Sequence, residues 1–130
     1  MSLPKYCFDT HPLVWYFRES KTLSEKAKLI LDEAFAGNIV AFIPSIVLLE
    51  AFHLSLKDSK FVFSGFVDFL RKAEFIIIPL EEEVLKTCFE LPKEINIHDR
   101  IVIATAKISG SKLLTKDKVL KNLFPMETIW

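Results

Sequence analysis

The chain alternates short, unbroken apolar runs with longer stretches in which apolar positions recur every three or four residues. Lys5 to Phe8 is a short strand candidate that ends at Asp9. Pro12 to Phe17 reads as a helix, proline being tolerated in an opening turn. Thr22, followed by Leu23–Ser24–Glu25, predicts a capping box into a second helix, with Leu23, Ala27, Ile30 and Ala34 on one stripe and Gly37 as its stop. Ile39 to Ile43 is free of charge and suits a buried strand; Pro44 closes it, and Ser45 can cap a helix from Ile46 to about Leu56. Phe61 to Lys72 predicts a helix rich in phenylalanine. Phe75 to Ile78 predicts a second buried strand closed by Pro79, and Glu81 to Glu83 the acidic opening of a further helix. Asp99 to about Ile108 is a mostly apolar helix ended by Gly110. Lys112 to Leu114 reads as a strand, Asp117 to Leu123 as a short helix and Glu127 to Trp130 as a last strand.

Such alternation predicts an α/β fold, with a mostly parallel sheet covered by helices on both faces. In these sheets ligands bind beyond the carboxyl ends of the strands, where the strand order reverses. The length of 130 residues fits one domain over residues 1–130, and 51% hydrophobic with 26% charged residues excludes disorder as the main state. The longest apolar run, Ile39 to Leu49, is too short for a bilayer and contains Pro44 and Ser45, so no membrane role is expected. Met1 to Phe8 lacks the basic start and apolar stretch of a secretion signal. Two cysteines, Cys7 and Cys88, make neither a disulfide framework nor a metal cluster, which fits a reducing, cytoplasmic setting. Three glycines cannot build a phosphate-cradling loop.

Charge sharpens the picture. The formal net charge is zero, so the chain does not grip a long duplex by charge alone. Yet Lys112, Lys116, Lys118 and Lys121 crowd the last nineteen residues against one Asp and one Glu.

Acidic residues stand where a core should not tolerate them. Asp9 ends the first strand, and Asp117 follows Leu114 by three residues, so both project at the carboxyl edge of the sheet. Glu50 is surrounded by Ile46, Val47, Leu48, Leu49, Ala51, Phe52 and Leu54, and Asp99 heads Ile101, Val102, Ile103 and Ala104. An unpartnered carboxylate in such surroundings costs several kcal/mol or takes up a proton. The four acids are 41, 49 and 18 residues apart in sequence. If they meet, two carboxylates ~4 Å apart repel by roughly 4 kcal/mol at an effective dielectric near 20, and a divalent cation reverses the sign. An all-oxygen set favours Mg²⁺ or Mn²⁺ over Zn²⁺. Singly, each acid has an ordinary explanation: Asp9 or Asp117 as a helix cap, Glu50 paired with Arg100 or Lys57, Asp99 paired with Arg18 or Arg71. One metal replaces four such explanations.

The segments FDTHPLVWYF, IPSIVLLEAF, NIHDRIVIATAK and LLTKD together resemble the PIN-domain family, and within it the VapC-type ribonuclease toxins of toxin–antitoxin pairs. The resemblance covers nearly the whole chain. It implies a three-layer α/β/α fold around a parallel five-stranded sheet. It also implies an acidic site for Mg²⁺ or Mn²⁺ in which Asp9, Glu50 and Asp99 match the central acids and Asp117 the fourth. Thr10 matches a hydroxyl near the metal, and Ser45 and Thr115 match supporting hydroxyls. The implied activity is cleavage of single-stranded RNA, restrained by a small cognate antitoxin; a homodimer is expected. In this reading Lys112, Lys116 and Lys118, with Lys121 beside them, hold the RNA backbone near the acids. The rival reading is a non-catalytic PIN-like module that binds RNA or protein. A receiver-type phosphoacceptor is disfavoured because FIIIPL offers no aspartate, and a phosphatase of the Asp-x-Asp kind because DTH lacks the second acid.

Other residues carry less. His98 is expected to cap a helix or face solvent rather than act as a base, and Asn96 to cap or touch substrate. His11 and His53 show no metal spacing with it, and Cys7 reads as core. Phe61, Phe63, Phe66 and Phe69 cover more than one helical face, so core packing with some exposure toward a second copy or an antitoxin is expected.

Overall fold

In a computed structural model, which describes residues 2–130, strands and helices alternate from end to end. The order is β1 (Lys5–Phe8), α1 (Thr10–Phe17), α2 (Glu25–Phe35), β2 (Val40–Pro44), α3 (Ser45–Lys57), α4 (Phe63–Leu70), β3 (Phe75–Ile78), α5 (Glu82–Phe89), α6 (Ile97–Ser109), β4 (Lys112–Leu114), α7 (Lys118–Leu123) and β5 (Thr128–Ile129). The five strands form one sheet in the order β3-β2-β1-β4-β5, every neighbouring pair parallel. Helices cover both faces, giving the α/β/α sandwich expected from the alternation. Parallel strands require such crossovers, because their ends lie on opposite sides of the molecule.

The order runs outward from β1 in both directions, so the topological switch lies between β1 and β4. Phe8 pairs with Leu114 there, and the amide of Asp9 donates to the Leu114 carbonyl at 3.2 Å. Both strands are central, and their carboxyl-terminal halves are buried on both faces: Cys7, Phe8, Leu113 and Leu114 are fully buried, while Lys5 and Lys112 at the opposite ends are exposed. Helix α6 packs across the sheet and, through Ile101 and Ala104, closes a second small core with Val84 and Cys88 of α5. Gly110 ends α6 with φ +64°, a left-handed conformation that costs glycine little. Both cysteines are buried free thiols. No helix among the described residues is long and apolar enough to cross a membrane.

Several expectations are corrected. The cap of α2 is Ser24, whose hydroxyl accepts from the Ala27 amide, and not Thr22. Ser45 opens α3 without a side-chain capping bond. Asn96, not Asp99, marks the start of α6. Strand β3 is an edge strand and not a buried one; its Ile76 and Ile77 are about half exposed. The phenylalanines of the 61–72 stretch pack into the core as expected, although α4 begins at Phe63 and not at Phe61. Phe61 and Phe66 are buried, and Phe63 and Phe69 join a network of rings with Phe17, Phe35 and Phe52. Exposed large apolar side chains include Leu49, Phe52 and Leu56 on α3, Ile76 and Ile77 on β3 and Leu85 and Phe89 on α5.

Candidate active site

The backbone leaves the switch point with Asp9 after β1 and Thr115 after β4, side by side at the carboxyl edge. Asp9 caps α1: its Oδ1 accepts from the Thr10 amide at 2.8 Å. Its Oδ2 accepts from the Thr115 hydroxyl at 2.7 Å. Thr115 is fully buried, and its oxygen in turn accepts from the Asp117 amide at 3.1 Å. Asp117 caps α7, with Oδ1 accepting from the Leu120 amide at 2.9 Å. So the capping explanation holds for Asp9 and Asp117, and it does not compete with a place in the site, since each cap uses one oxygen and leaves the carboxylate facing the same hollow.

The remaining acids come from helices. Glu50 lies on α3 and accepts from the buried Thr10 hydroxyl at 3.0 Å through Oε1, while its Oε2 lies 3.4 Å from His98 Nδ1. Asp99, in the first turn of α6, is held by Asn96 from two directions. The Asn96 amide nitrogen donates to Asp99 Oδ2 at 2.8 Å, and the Asp99 backbone donates to Asn96 Oδ1 at 2.9 Å. Asp9, Glu50, Asp99 and Asp117 line one cavity of about 320 Å³, together with Thr10, His11, Trp15 and Lys116.

Among the described residues, no arginine or lysine forms an ion pair with any of the four acids. Arg18 pairs with Asp58 at 2.8 Å, and Arg71 lies 3.9 Å from Asp68. Arg100 turns away from Glu50 and donates to the carbonyls of Cys88, Leu91, Pro92 and Ile95, at 2.7–3.1 Å. The electrostatic consequence is visible in two carboxyls. Burial raises Asp9 above the usual carboxylate range; the Thr115 and Thr10 hydrogen bonds and the His11 charge oppose this, and Asp117 adds to it. Asp99 is pushed up to about 6, first by burial, then by the negative charges of Asp117, Asp9 and Glu50, with the Asn96 bond opposing.

This donor set fits a hard divalent cation in its chemistry: clustered carboxylate oxygens, repelling one another, with Thr10 and Thr115 hydroxyls behind them. Among the described residues, no three Asp, Glu, His or Cys side chains form a set that would hold an ion by themselves.

A PIN-domain family model matches residues 6–123. The chain belongs to the PIN-domain family. Solved structures share its fold at low identity. One is VapBC2 from Rickettsia felis bound to a DNA fragment from its promoter: TM-score 0.75 and 19% identity, over 96% of this chain and 97% of that one. Another is a toxin–antitoxin complex from Klebsiella pneumoniae: TM-score 0.70 and 21% identity, over 96% of each chain. PAE2754 from Pyrobaculum aerophilum matches at TM-score 0.65 and 17% identity, over 96% of this chain and 83% of that one. No curated protein sequence matches significantly.

The remaining candidates of this PIN domain divide. Lys116 lines the acid cavity. Lys112 opens β4, paired with Tyr6, about 7 Å back along the strand from Leu114. Lys118 begins α7, and neither Lys112, Lys118 nor Lys121 borders the cavity. Ser45 is half-buried and does not border it either. Residues outside the acid pattern also build the site. Asn96 and His98 contact Asp99 and Glu50 directly, and Arg100 ties the turn that precedes α6. Asn96 had a readable signal, an asparagine three residues before an acid ahead of an apolar run. Arg100 had none, because its partners are backbone carbonyls.

Proposed function

We propose that this PIN domain is a Mg²⁺- or Mn²⁺-dependent endoribonuclease that cleaves single-stranded RNA, and that it is the VapC-type toxin of a type II toxin–antitoxin pair. The observation that carries this reading is the convergence of Asp9, Glu50, Asp99 and Asp117 on one cavity with no arginine or lysine among the described residues ion-paired to any of them. Further support is that VapBC2 and the Klebsiella complex, whose fold the chain shares, are toxin–antitoxin assemblies.

Asp9, Glu50 and Asp99 would hold the cation, partly through water, with Asp117 orienting the attacking water or assisting a second ion. When bound there, the cation would supply a water of lowered pKa and positive charge beside the phosphate. The rest is done by this chain's own groups. Thr115 and the Thr10 amide fix both oxygens of Asp9, Thr10 turns Glu50 toward the cavity, and Asn96 does the same for Asp99. Lys116 offers the RNA backbone a positive partner at the rim. Hydrolysis on this scheme leaves a 5′-phosphate and a 3′-hydroxyl.

The antitoxin is expected on the apolar cavity of about 490 Å³ beside the acids, lined by Ile46, Leu49, Phe52 and Leu56 together with Glu50 and Thr10. A segment lying there would cover the catalytic carboxylates. A homodimer in the cytoplasm completes the reading.

Cleavage of single-stranded RNA by the purified chain decides it. Cleavage should require Mg²⁺ or Mn²⁺, stop with EDTA, and be lost in Asp99→Asn while the fold is retained. RNA bound but uncut under all metal conditions would mark a non-catalytic RNA-binding module instead.

A further inference from the structure

Trp15 stands where three depressions meet. It lines the acid cavity with Lys116, a second cavity of about 420 Å³ bounded by Arg18 and Lys57, and a third of about 620 Å³ toward Tyr16 and Phe69. Helix α1 explains the position. Thr10, Pro12, Leu13 and Val14 are buried, while His11 and Trp15, one helical turn apart, reach the solvent side. The His11 ring lies 5.3 Å from the Trp15 ring, and Trp130 meets Trp15 edge-on at 5.9 Å and 68°. Lys116 Nζ lies 5.6 Å from the indole centroid. Trp15 is half-buried, and the lysine against it is exposed.

His11 and Trp15 line both the acid cavity and the second cavity, so a path runs from the carboxylates across the indole to Lys57, and to Arg18 in its ion pair with Asp58, which lines the same cavity. That is the arrangement single-stranded nucleic acid needs: an aromatic face, which any base can stack on, flanked by cations for the phosphates. A duplex keeps its bases stacked on one another and offers no such face. A peptide would gain little from a cation lying against the ring.

We propose that Trp15, with His11 and Trp130 at its edges, is the stacking platform for a base adjoining the cleaved phosphate of single-stranded RNA, Lys116 leaving the indole to meet the RNA backbone. The proposal rests on the nuclease reading of the acid cavity and adds the subsite that holds the substrate. It makes Trp15 a specificity-determining residue and gives a physical reason for preferring single strands.

The test uses the full chain carrying Asp99→Asn and Trp130→Phe, so that Trp15 is the fluorophore and RNA stays intact. Oligo(U), oligo(A) and oligo(C) RNAs of about ten nucleotides are titrated in Mg²⁺. RNA binding is followed in parallel by anisotropy of an end label. Stacking predicts quenching of Trp15 that saturates with the anisotropy change. In the active chain, Trp15→Ala should raise KM about tenfold with a much smaller change in kcat, and Trp15→Phe should restore most of the loss. Binding seen by anisotropy with no change in Trp15 emission would overturn the platform, and that titration needs no substitution at Trp15. A wild-type KM in folded Trp15→Ala would overturn it too. The two readings fail separately: quenching by RNA in a chain whose wild type cuts nothing supports the platform and defeats the nuclease, whereas metal-dependent cleavage without quenching does the reverse.

Discussion

The Thr115 hydroxyl donates to Asp9 Oδ2 at 2.7 Å across 106 residues of sequence, from the end of β4 to the end of β1. This bond couples the topological switch of the sheet to the chemistry at its edge. The same oxygen accepts from the Asp117 amide, so one buried threonine sets the orientation of one acid and the backbone of another.

Replacing Thr115 by valine keeps the shape and removes both bonds. A hydrogen bond to a charged group contributes about 1.5–3 kcal/mol, so Thr115→Val should lower stability by roughly 2 kcal/mol in urea melts. The carboxyl of Asp9, already above the usual range, should rise further, because the Thr115 bond is the largest influence lowering it. RNA cleavage should fall sharply at neutral pH. Thr115→Ser, which can restore the bond, should recover more activity than stability, since its missing methyl leaves a gap in a fully buried site.

Asn96 both caps α6 and donates to Asp99. Loss of such a cap costs about 0.5–2 kcal/mol. Asn96→Ala should therefore lower the thermal midpoint by a few degrees and reduce cleavage through misplacement of Asp99. Asn96→Ser separates the two roles: it can accept from the Asp99 amide but is too short to reproduce the amide's second contact. Near-normal stability with reduced cleavage is the expected outcome, measured by melting and by initial rates on one RNA.

Asp99 gives a pH signature to the metal-free chain. Its folded value of about 6 lies above the ordinary 3.8, so the folded state holds the proton more tightly than the unfolded state does. The unfolded chain then binds fewer protons between those two values, and stability must fall as pH rises through that window, levelling off above it. Each tenfold difference in proton affinity between the two states is worth about 1.4 kcal/mol; with the carboxyl partly solvated, the net loss by pH 7 should be about 1–2 kcal/mol. Asp99→Asn should remove this loss and melt above wild type in EDTA at neutral pH. Saturating Mg²⁺ should reverse the order by stabilising wild type more, since a ligand at 100 times its Kd contributes about 2.7 kcal/mol. The four EDTA and Mg²⁺ melts check this; a wild type indifferent to Mg²⁺ would remove the cation from the site.

Much of this was legible in the sequence because the strands are short and apolar, with a charge only at the first residue of β1 and β4. β1, β2 and β4 follow from Lys5–Phe8, Ile39–Ile43 and Lys112–Leu114, and the acids stand out because Glu50 interrupts an apolar helix. What was not legible depends on tertiary placement. FIII reads as buried, yet β3 lies at the sheet edge with Ile76 and Ile77 exposed, since an apolar run does not state how many neighbours its strand has. The phenylalanines of α4 look too many for one face, but Phe17, Phe35 and Phe52 from three other helices take them up. Arg100 invites an ion pair with Glu50, and instead its planar fork donates to four carbonyls at the end of α5 and in the turn before α6.

That placement of Arg100 makes a prediction of its own. Arg100→Lys keeps the charge but cannot reproduce the fork of donors that reaches Cys88, Leu91, Pro92 and Ile95. The segment entering α6 should loosen, at a cost of about 2 kcal/mol, with faster amide exchange over residues 90–96. Cleavage should drop because Asp99 sits at the head of that helix, and Mg²⁺ should recover part of the lost stability.

The lysines separate by position. Lys116 borders the acids, whereas Lys112 starts β4 well short of the carboxyl edge. Lys116→Ala should weaken RNA binding several-fold and reduce the slope of log K against log salt by about 0.7, the share of one phosphate contact on a single strand. Lys112→Ala should leave both unchanged. Exposed surface lysines contribute little to stability, so both variants should melt within about 0.5 kcal/mol of wild type, and the contrast between them should lie in binding alone. Equal effects from the two substitutions would mean that RNA follows charge over the whole carboxyl-terminal segment rather than entering at the rim of the acid cavity.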